Sequence, residues 1–337
     1  MSFLGDKAIP RSLLPKNVLT LRGGNAITTL KAYAFITEKK RDKYYIYRLV
    51  QLVMLDWLDK QGELAEWTAR VIRRVDEAFP VPEHANREAW MDYLPHARHA
   101  LERPTAVDDT AADLLSKVGS GLDTLGQYHE AESMFRKALE GRERMLGPNH
   151  PNTLSCFSRL GSVLERQGQY ELAEALYWRA LEGQEKALGR DHPDTLISMY
   201  GLGVTFEAQG KYEEAEAILP RALEGQEKVL GPDHPDTLAS VADVASIHFR
   251  HGRYDSAEKM FLRALKGREK VLGVNHPETI ATVSNLCVVF EYQGRFEKAE
   301  RMSRRAMEEL AKELGPDHPH TLASIYIWAE LFKIKGG

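Results

Sequence analysis

Between residues 128 and 139 the apolar side chains Tyr128, Ala131, Phe135, Ala138 and Leu139 fall at steps of three, four, three and one. That spacing gathers them on one face of a helix. The register restarts 42 residues later at Tyr170, then at Tyr212, Tyr254 and Phe296, each time two residues after a glycine. A second apolar stripe precedes each of these: Leu115, Val118 and Leu122, then Phe157, Leu160 and Leu164. The pattern predicts a series of helix pairs with one period and no insertion, the mark of a repeat architecture. Gly161, Gly203, Ala245 and Cys287 recur on the first helix, where a small residue lets its partner approach. Gly147, Gly189, Gly231 and Gly273 end the second helix, where a left-handed cap is expected. Its exposed side carries Glu140–Arg144, Glu182–Lys186 and Glu224–Lys228 at i,i+4, a pattern that Lys266–Lys270 breaks.

Between the pairs stands LGPDHPDTL (Leu230–Leu238), with its counterparts starting at Leu146, Leu188, Leu272 and Leu314. An Asp beside a His, with Asp and Thr following, has the composition of a metal corner or a proton relay. The register assigns it to the joint. Asp233 or His234 is placed to cap the first helix, and Pro235 takes its first position, where no N–H is missed. Asp236 suits the positive end of the helix dipole, and Thr237 is placed to bond back to the cap. His150, His192, His234, His276 and His318 lie one repeat apart. Stacked helices separate them by about 10 Å, too far to share a zinc whose ligands stand at about 2 Å.

Composition narrows the function classes. The chain has 337 residues, is 43% apolar and carries a net charge of −4. The charge is uneven: +4 over residues 1–104 (17 basic, 13 acidic) and −8 over residues 105–337 (28 basic, 36 acidic). Neither part is basic enough for a nucleic-acid groove. Cys156 and Cys287 make no disulfide framework and fit a reducing compartment. The most apolar run, Leu49–Leu58, is too short to span a bilayer and contains Asp56. A cytoplasmic chain with no nucleic-acid and no membrane partner is expected. There is no H-E-x-x-H, no paired C-x-x-C, no G-x-S-x-G and no G-x-x-x-x-G-K-[ST] loop. No catalytic residue, cofactor site or metal site is expected, and the chain is read as a non-enzyme.

The Gly-x-Tyr-x-x-Ala turn with Ala-Leu late in the second helix resembles the tetratricopeptide repeat. The 42-residue length and the His-Pro-x-Thr-Leu joint resemble the kinesin light chain type. That type is also common in fungal proteins, behind the NB-ARC or NACHT module of NLR-like signalling ATPases. Residues 29–64 resemble the winged-helix end of those proteins: strands at 33–38 and 44–47 around a charged turn, then Arg48-Leu49-Val50-Gln51 opening a helix. Ile46 and Tyr47 stand where that family has Met and a nucleotide-sensing His. The resemblance implies an all-α superhelical solenoid behind a winged-helix-like remnant at 1–62 with a short β-hairpin. A helical connector follows at 63–107, with Trp57, Trp67 and Trp90 in its core. Repeats fill 108–149, 150–191, 192–233, 234–275 and 276–317, and a terminal half-repeat helix fills 318–335. Without a phosphate loop, the chain reads as the back end of such a receptor lacking its ATPase.

In the kinesin light chain family an Asn eight residues after the joint proline touches a bound peptide on the concave face. The matching positions here are Arg159, Gly201, Asp243 and Asn285, with Lys117 by analogy in the first repeat. Lys117, Arg159, Tyr200, Asp243 and Asn285 are therefore the candidate partner-binding groove. Its basic end implies an extended protein or peptide partner with an acidic end. The function implied is an interaction scaffold or regulatory adapter; a kinesin-light-chain-like trafficking adapter and an accessory scaffold for a fungal biosynthetic pathway are the alternatives. Two irregularities add expectations. Pro220 inside a second helix should kink it near Glu216. The last helix carries a second apolar side, Tyr326, Ile327 and Leu331, which suggests self-association.

Overall fold

The computed structural model describes residues 9–10, 13, 36–40, 43–46, 48–82, 86–102, 107–315 and 325. Apart from Ile325, the terminal helix expected at 318–335, and with it the self-association surface, lies outside the described residues. The chain forms two compact units, Met1–Leu176 and Tyr177–Gly337.

The first unit opens with strands β1 (Ile9–Pro10), β2 (Ile36–Lys40) and β3 (Lys43–Ile46), an antiparallel sheet in the order β1-β3-β2. The strand pairing reaches further than the sequence pattern suggests, with Lys40 opposite Lys43. Helices α1 (Arg48–Lys60), α2 (Leu64–Ala78) and α3 (Arg87–Leu101) follow, then α4 (Asp109–Thr124), α5 (Tyr128–Leu146), α6 (Pro151–Arg166) and the start of α7 (Tyr170–Ala187). Of the three connector tryptophans only Trp90 is core, at 0% exposure. Trp57 and Trp67 are 51% and 37% exposed, which corrects their expected place. The reason is local: α1 turns Leu49, Val53 and Trp57 to solvent as one stripe, and Trp67 is held on its own helix by Glu63 and under Arg70.

The second unit holds the rest of α7 with α8 (Pro193–Ala208), α9 (Tyr212–Val229), α10 (Pro235–Arg250), α11 (Tyr254–Val271), α12 (Pro277–Tyr292) and α13 (Phe296–Leu314). Each first helix packs on its second helix across the small residues the sequence marks. A Cβ on Gly203 would lie 2.5 Å from Leu219 Cγ. Ala245 and Cys287 fill the same position in the next repeats and are buried. Burial pushes the Cys287 thiol up to about 12. Helix α9 runs unbroken from Tyr212 to Val229 through Pro220.

The joints are capped by histidine. Nδ1 of His150, His192 and His234 accepts the backbone N–H two residues on at 3.2 Å, and that of His276 does so at 3.3 Å. Pro follows at the first helical position. Thr195 and Thr279 donate instead to the carbonyls of Gly189 and Gly273, six residues back, at 2.8 Å. The Thr237 hydroxyl makes no bond to its cap and is buried without a hydrogen-bond partner. Gly147, at φ 84° and ψ 166°, takes the extended positive-φ region that only glycine enters freely, rather than the left-handed helical cap expected.

A buried polar bridge crosses each of the four described joints. Gln184 accepts from Ser198, and Gln226 from Ser240, both at 2.5 Å. Arg268 donates to Thr282 at 2.7 Å and to the Glu278 carbonyl at 3.1 Å. Arg142 reaches Cys156 Sγ at 3.1 Å and pairs with Asp113. Each link joins a second helix to the first helix of the next repeat, 14 residues on. Removing one partner would leave a buried polar group unsatisfied, so these links fix the register between repeats.

Candidate interaction face

The first helices carry the candidate groove residues, and the structure treats them unequally. In the first unit Lys117 is part-buried. Its Nζ donates to Asp76 Oδ1 at 2.8 Å and to the Asp76 carbonyl at 2.9 Å, which ties α4 to α2. Its charge is therefore already countered within the fold. Arg159 is exposed and donates to Ser120 Oγ, one first helix back, at 2.9 Å. In the second unit Tyr200 OH donates to Asp243 Oδ2 at 2.7 Å, linking α8 to α10. Asn285 stands exposed on α12, one repeat beyond Asp243. Gly201 leaves a gap at this register, and the Tyr177 ring fills it. The candidates thus divide between the units: Lys117 and Arg159 in one, Tyr200, Asp243 and Asn285 in the other.

Sequence reasoning missed a second line of residues near the ends of the first helices. Arg166 pairs with Asp123 at 3.4 Å in the first unit. In the second unit Arg250 pairs with Glu207 at 3.4 Å, donates to Tyr212 OH at 3.0 Å and lies 4.9 Å above that ring. Burial raises the carboxyls of Asp123 and Glu207 above their ordinary values, and the arginines only partly oppose it. One repeat after Glu207 the same positions hold Phe249, Tyr254 and Tyr292, with ring centroids 5.0 to 5.6 Å apart. Tyr292 is 63% exposed. The clue was Asp123, Glu165, Glu207 and Glu291 recurring at the repeat step.

A tetratricopeptide repeat family model matches residues 110–185, 155–224, 205–270 and 238–308, more than half of the chain. The chain belongs to the tetratricopeptide repeat family. Over 158 residues this tetratricopeptide repeat protein is 39% identical to a nucleotide-binding leucine-rich repeat (NLR)-like protein of Hyaloscypha variabilis. That stretch is 46% of this chain and 16% of the relative, so the chain spans a small part of its length. Among solved structures it resembles Podospora anserina kinesin-light-chain repeats, described as nearly identical TPR-like repeats. The identity there is 24% and the TM-score 0.51, over 59% of this chain and 93% of that one. It also resembles a signal transduction ATPase with numerous domains and a tetratricopeptide repeat sensor, from Pyrococcus horikoshii. The identity is 14% and the TM-score 0.57, over 99% of this chain and 59% of that one. These two likenesses are likenesses of fold. Among the described residues no group of three His, Cys, Asp or Glu side chains could hold a metal ion, and no helix is long and apolar enough to cross a membrane.

Proposed function

We propose that this tetratricopeptide repeat scaffold is non-enzymatic and holds a protein or peptide partner against the first-helix face of its second unit, through Tyr200, Asp243 and Asn285. The observation that carries the reading is the Tyr200–Asp243 bond at 2.7 Å. It fixes two side chains from successive first helices on the face where Asn285 stands one repeat further on. A fixed side chain loses less freedom on binding than a mobile one. Lys117 is a weaker candidate, since Asp76 already answers its charge. Arg159 remains the basic contact of the first unit.

The 39% identity to an NLR-like protein supports a regulatory place like the sensor end of such proteins. On this reading residues 1–62, with the hairpin of β2 and β3 and Arg48-Leu49-Val50-Gln51, are a winged-helix remnant. Affinity capture with the wild-type chain, Asp243→Arg, Asn285→Ala and the second-helix control Lys228→Glu, whose partner Glu224 lines neither face, tests the face. Loss of the same captured proteins in the first two variants, with the control unchanged, is expected. Capture at equal yield by all four chains sinks the proposal.

A further inference from the structure

A groove of about 530 Å³ lies between α7 and α9 in the second unit and shares no residue with the face proposed above. Its volume is in the range of ligand sites. Leu181 and Ile218, both buried, form the apolar part of the lining. Trp178 also lines it, 48% exposed, with its ring set edge-on to Phe206 at 6.5 Å. Arg179, Arg190 and Arg221 line it together with Glu182 and Glu185. Glu182 is taken by Lys186 at 2.7 Å. Arg190 and Arg221 are left to share Glu185, in a repeat region whose net charge is −8.

The Glu185 pairs are long, 3.7 Å to Arg190 and 3.9 Å to Arg221. Both exceed hydrogen-bond reach. The matching pair one repeat on, Glu227 with Arg263, closes at 2.6 Å. The repeat pattern supplies an independent observation. At the register of Trp178 the other repeats have Arg136, Pro220, Leu262 and Arg304. At that of Arg190 they have Pro148, Pro232, Val274 and Pro316. The fold is satisfied in the other repeats without either residue. Yet these two departures from the period line one groove.

We infer that this groove binds an acidic peptide segment, with a carboxylate held by Arg190 and Arg221 and a neighbouring apolar or aromatic side chain laid on Trp178. Guanidinium forks match carboxylates in geometry, and charge-assisted bonds are the strong ones. The indole supplies a flat apolar surface beside them. An incoming carboxylate need only displace the loosely paired Glu185.

The test follows the Trp178 indole N–H in a ¹⁵N-tryptophan-labelled full chain, assigned among the five tryptophans by Trp178→Leu, the residue of Leu262. The probes are acetyl-Glu-Phe-Glu-Asp-amide and its neutral partner acetyl-Gln-Phe-Gln-Asn-amide, each titrated to about 1 mM, the range of weak peptide binding. The acidic probe should shift the Trp178 signal in a saturating, salt-sensitive way, and the neutral probe at least about fivefold less. Arg190→Pro restores the residue of three other joints and so keeps the fold. It and Arg221→Gln should each weaken the acidic titration at least about fivefold, with circular dichroism unchanged. No Trp178 shift, equal response to both probes, or indifference to Arg190→Pro and Arg221→Gln overturns the inference. Asp243→Arg should leave this titration untouched, so the outcome is separate from that of the first-helix face.

Discussion

Gly201 stands where the neighbouring repeats carry Arg159, Asp243 and Asn285. A Cβ placed there would come within 2.3 Å of Tyr177 Cζ, 2.4 Å of Cε1 and 2.6 Å of the hydroxyl. Tyr177 is 3% exposed, and a buried ring cannot bend away as a methionine would. Gly201→Ala gains about 1 kcal/mol of helix propensity. Overpacking costs about 1–3 kcal/mol, and two ring carbons and the hydroxyl inside contact distance place this case at the upper end. The expected net loss is about 2 kcal/mol. Tyr177→Leu copies Leu219, the residue at the same register one repeat on. Alone it opens a void and costs about 1–3 kcal/mol. In the double variant the new methyl enters space the ring has left, so the two losses should fall short of additive by at least about 1 kcal/mol. Urea unfolding followed by far-ultraviolet circular dichroism gives all four stabilities from midpoints and a shared slope. Gly201→Ala as stable as the wild type, or losses additive to within about 0.5 kcal/mol, would refute the packing argument.

Three further predictions use the same chain. His234→Ala removes the acceptor of the Asp236 N–H and should lower stability by about 1 kcal/mol; Asp233→Ala, which loses only an exposed pair with Lys270, should change it immeasurably. Burial raises the Glu165 carboxyl above its ordinary 4.5, with Arg166 opposing and Asp123 adding to the rise. The folded chain therefore keeps that proton to higher pH than the unfolded one, and ionisation works against folding at neutral pH. Glu165→Gln should raise the thermal midpoint at pH 7, by an amount that shrinks as pH falls through the folded pKa and is gone below 4.5; a gain that persists in acid would contradict this. Cys287, buried and raised to about 12, and Cys156, at 0% exposure, should both resist a thiol-reactive disulfide reagent at pH 8 until the chain is unfolded.

The helix pairs, the small residues between them and the His-Pro joint were legible because one chain supplies several aligned copies of each. The role of His234 as the cap was half legible: spacing placed both Asp233 and His234 at the helix start, and only geometry shows the ring nitrogen accepting the Asp236 N–H. Charged columns with the same period were present in the sequence, but only geometry shows what they pair with. Glu185 and Glu227 recur at the repeat step, as do Arg221 and Arg263, and both carboxylates turn toward the next second helix. The bridge through Gln184, Gln226 and Arg268 carried a similar signal: a long polar residue in one register of the joint, paired with Ser198, Ser240 and Thr282. The capture of Lys117 by Asp76 lay beyond the pattern. The connector has no period, so nothing in the repeats says what packs beside the first one. The Tyr177 ring in the Gly201 gap was hidden for another reason: each residue fits its own repeat, and the fit between them exists only across two.

Residues that keep the period answer demands common to every repeat, so residues that break it together mark a local demand. Arg250 with Glu207 and Tyr212 shows the ordinary solution near the end of a first helix, a cation between a half-buried carboxylate and a ring. One repeat on, both charges are gone at once: Phe249 takes the carboxylate's place and Tyr292 the cation's, and both pack on Tyr254. Losing one charge alone would have left the other partly desolvated and unpaired, so the exchange makes physical sense only as a pair. Trp178 and Arg190 are not exchanged in that way. They lie apart in sequence, they compensate no loss in each other, and the joints that carry Pro148 and Pro232 do without an arginine there. A paired exchange restores the packing it disturbs and is accounted for by the fold. An uncompensated pair that lines one cationic groove has no such account, which is why the groove between α7 and α9, rather than the aromatic cluster, carries the argument for a ligand.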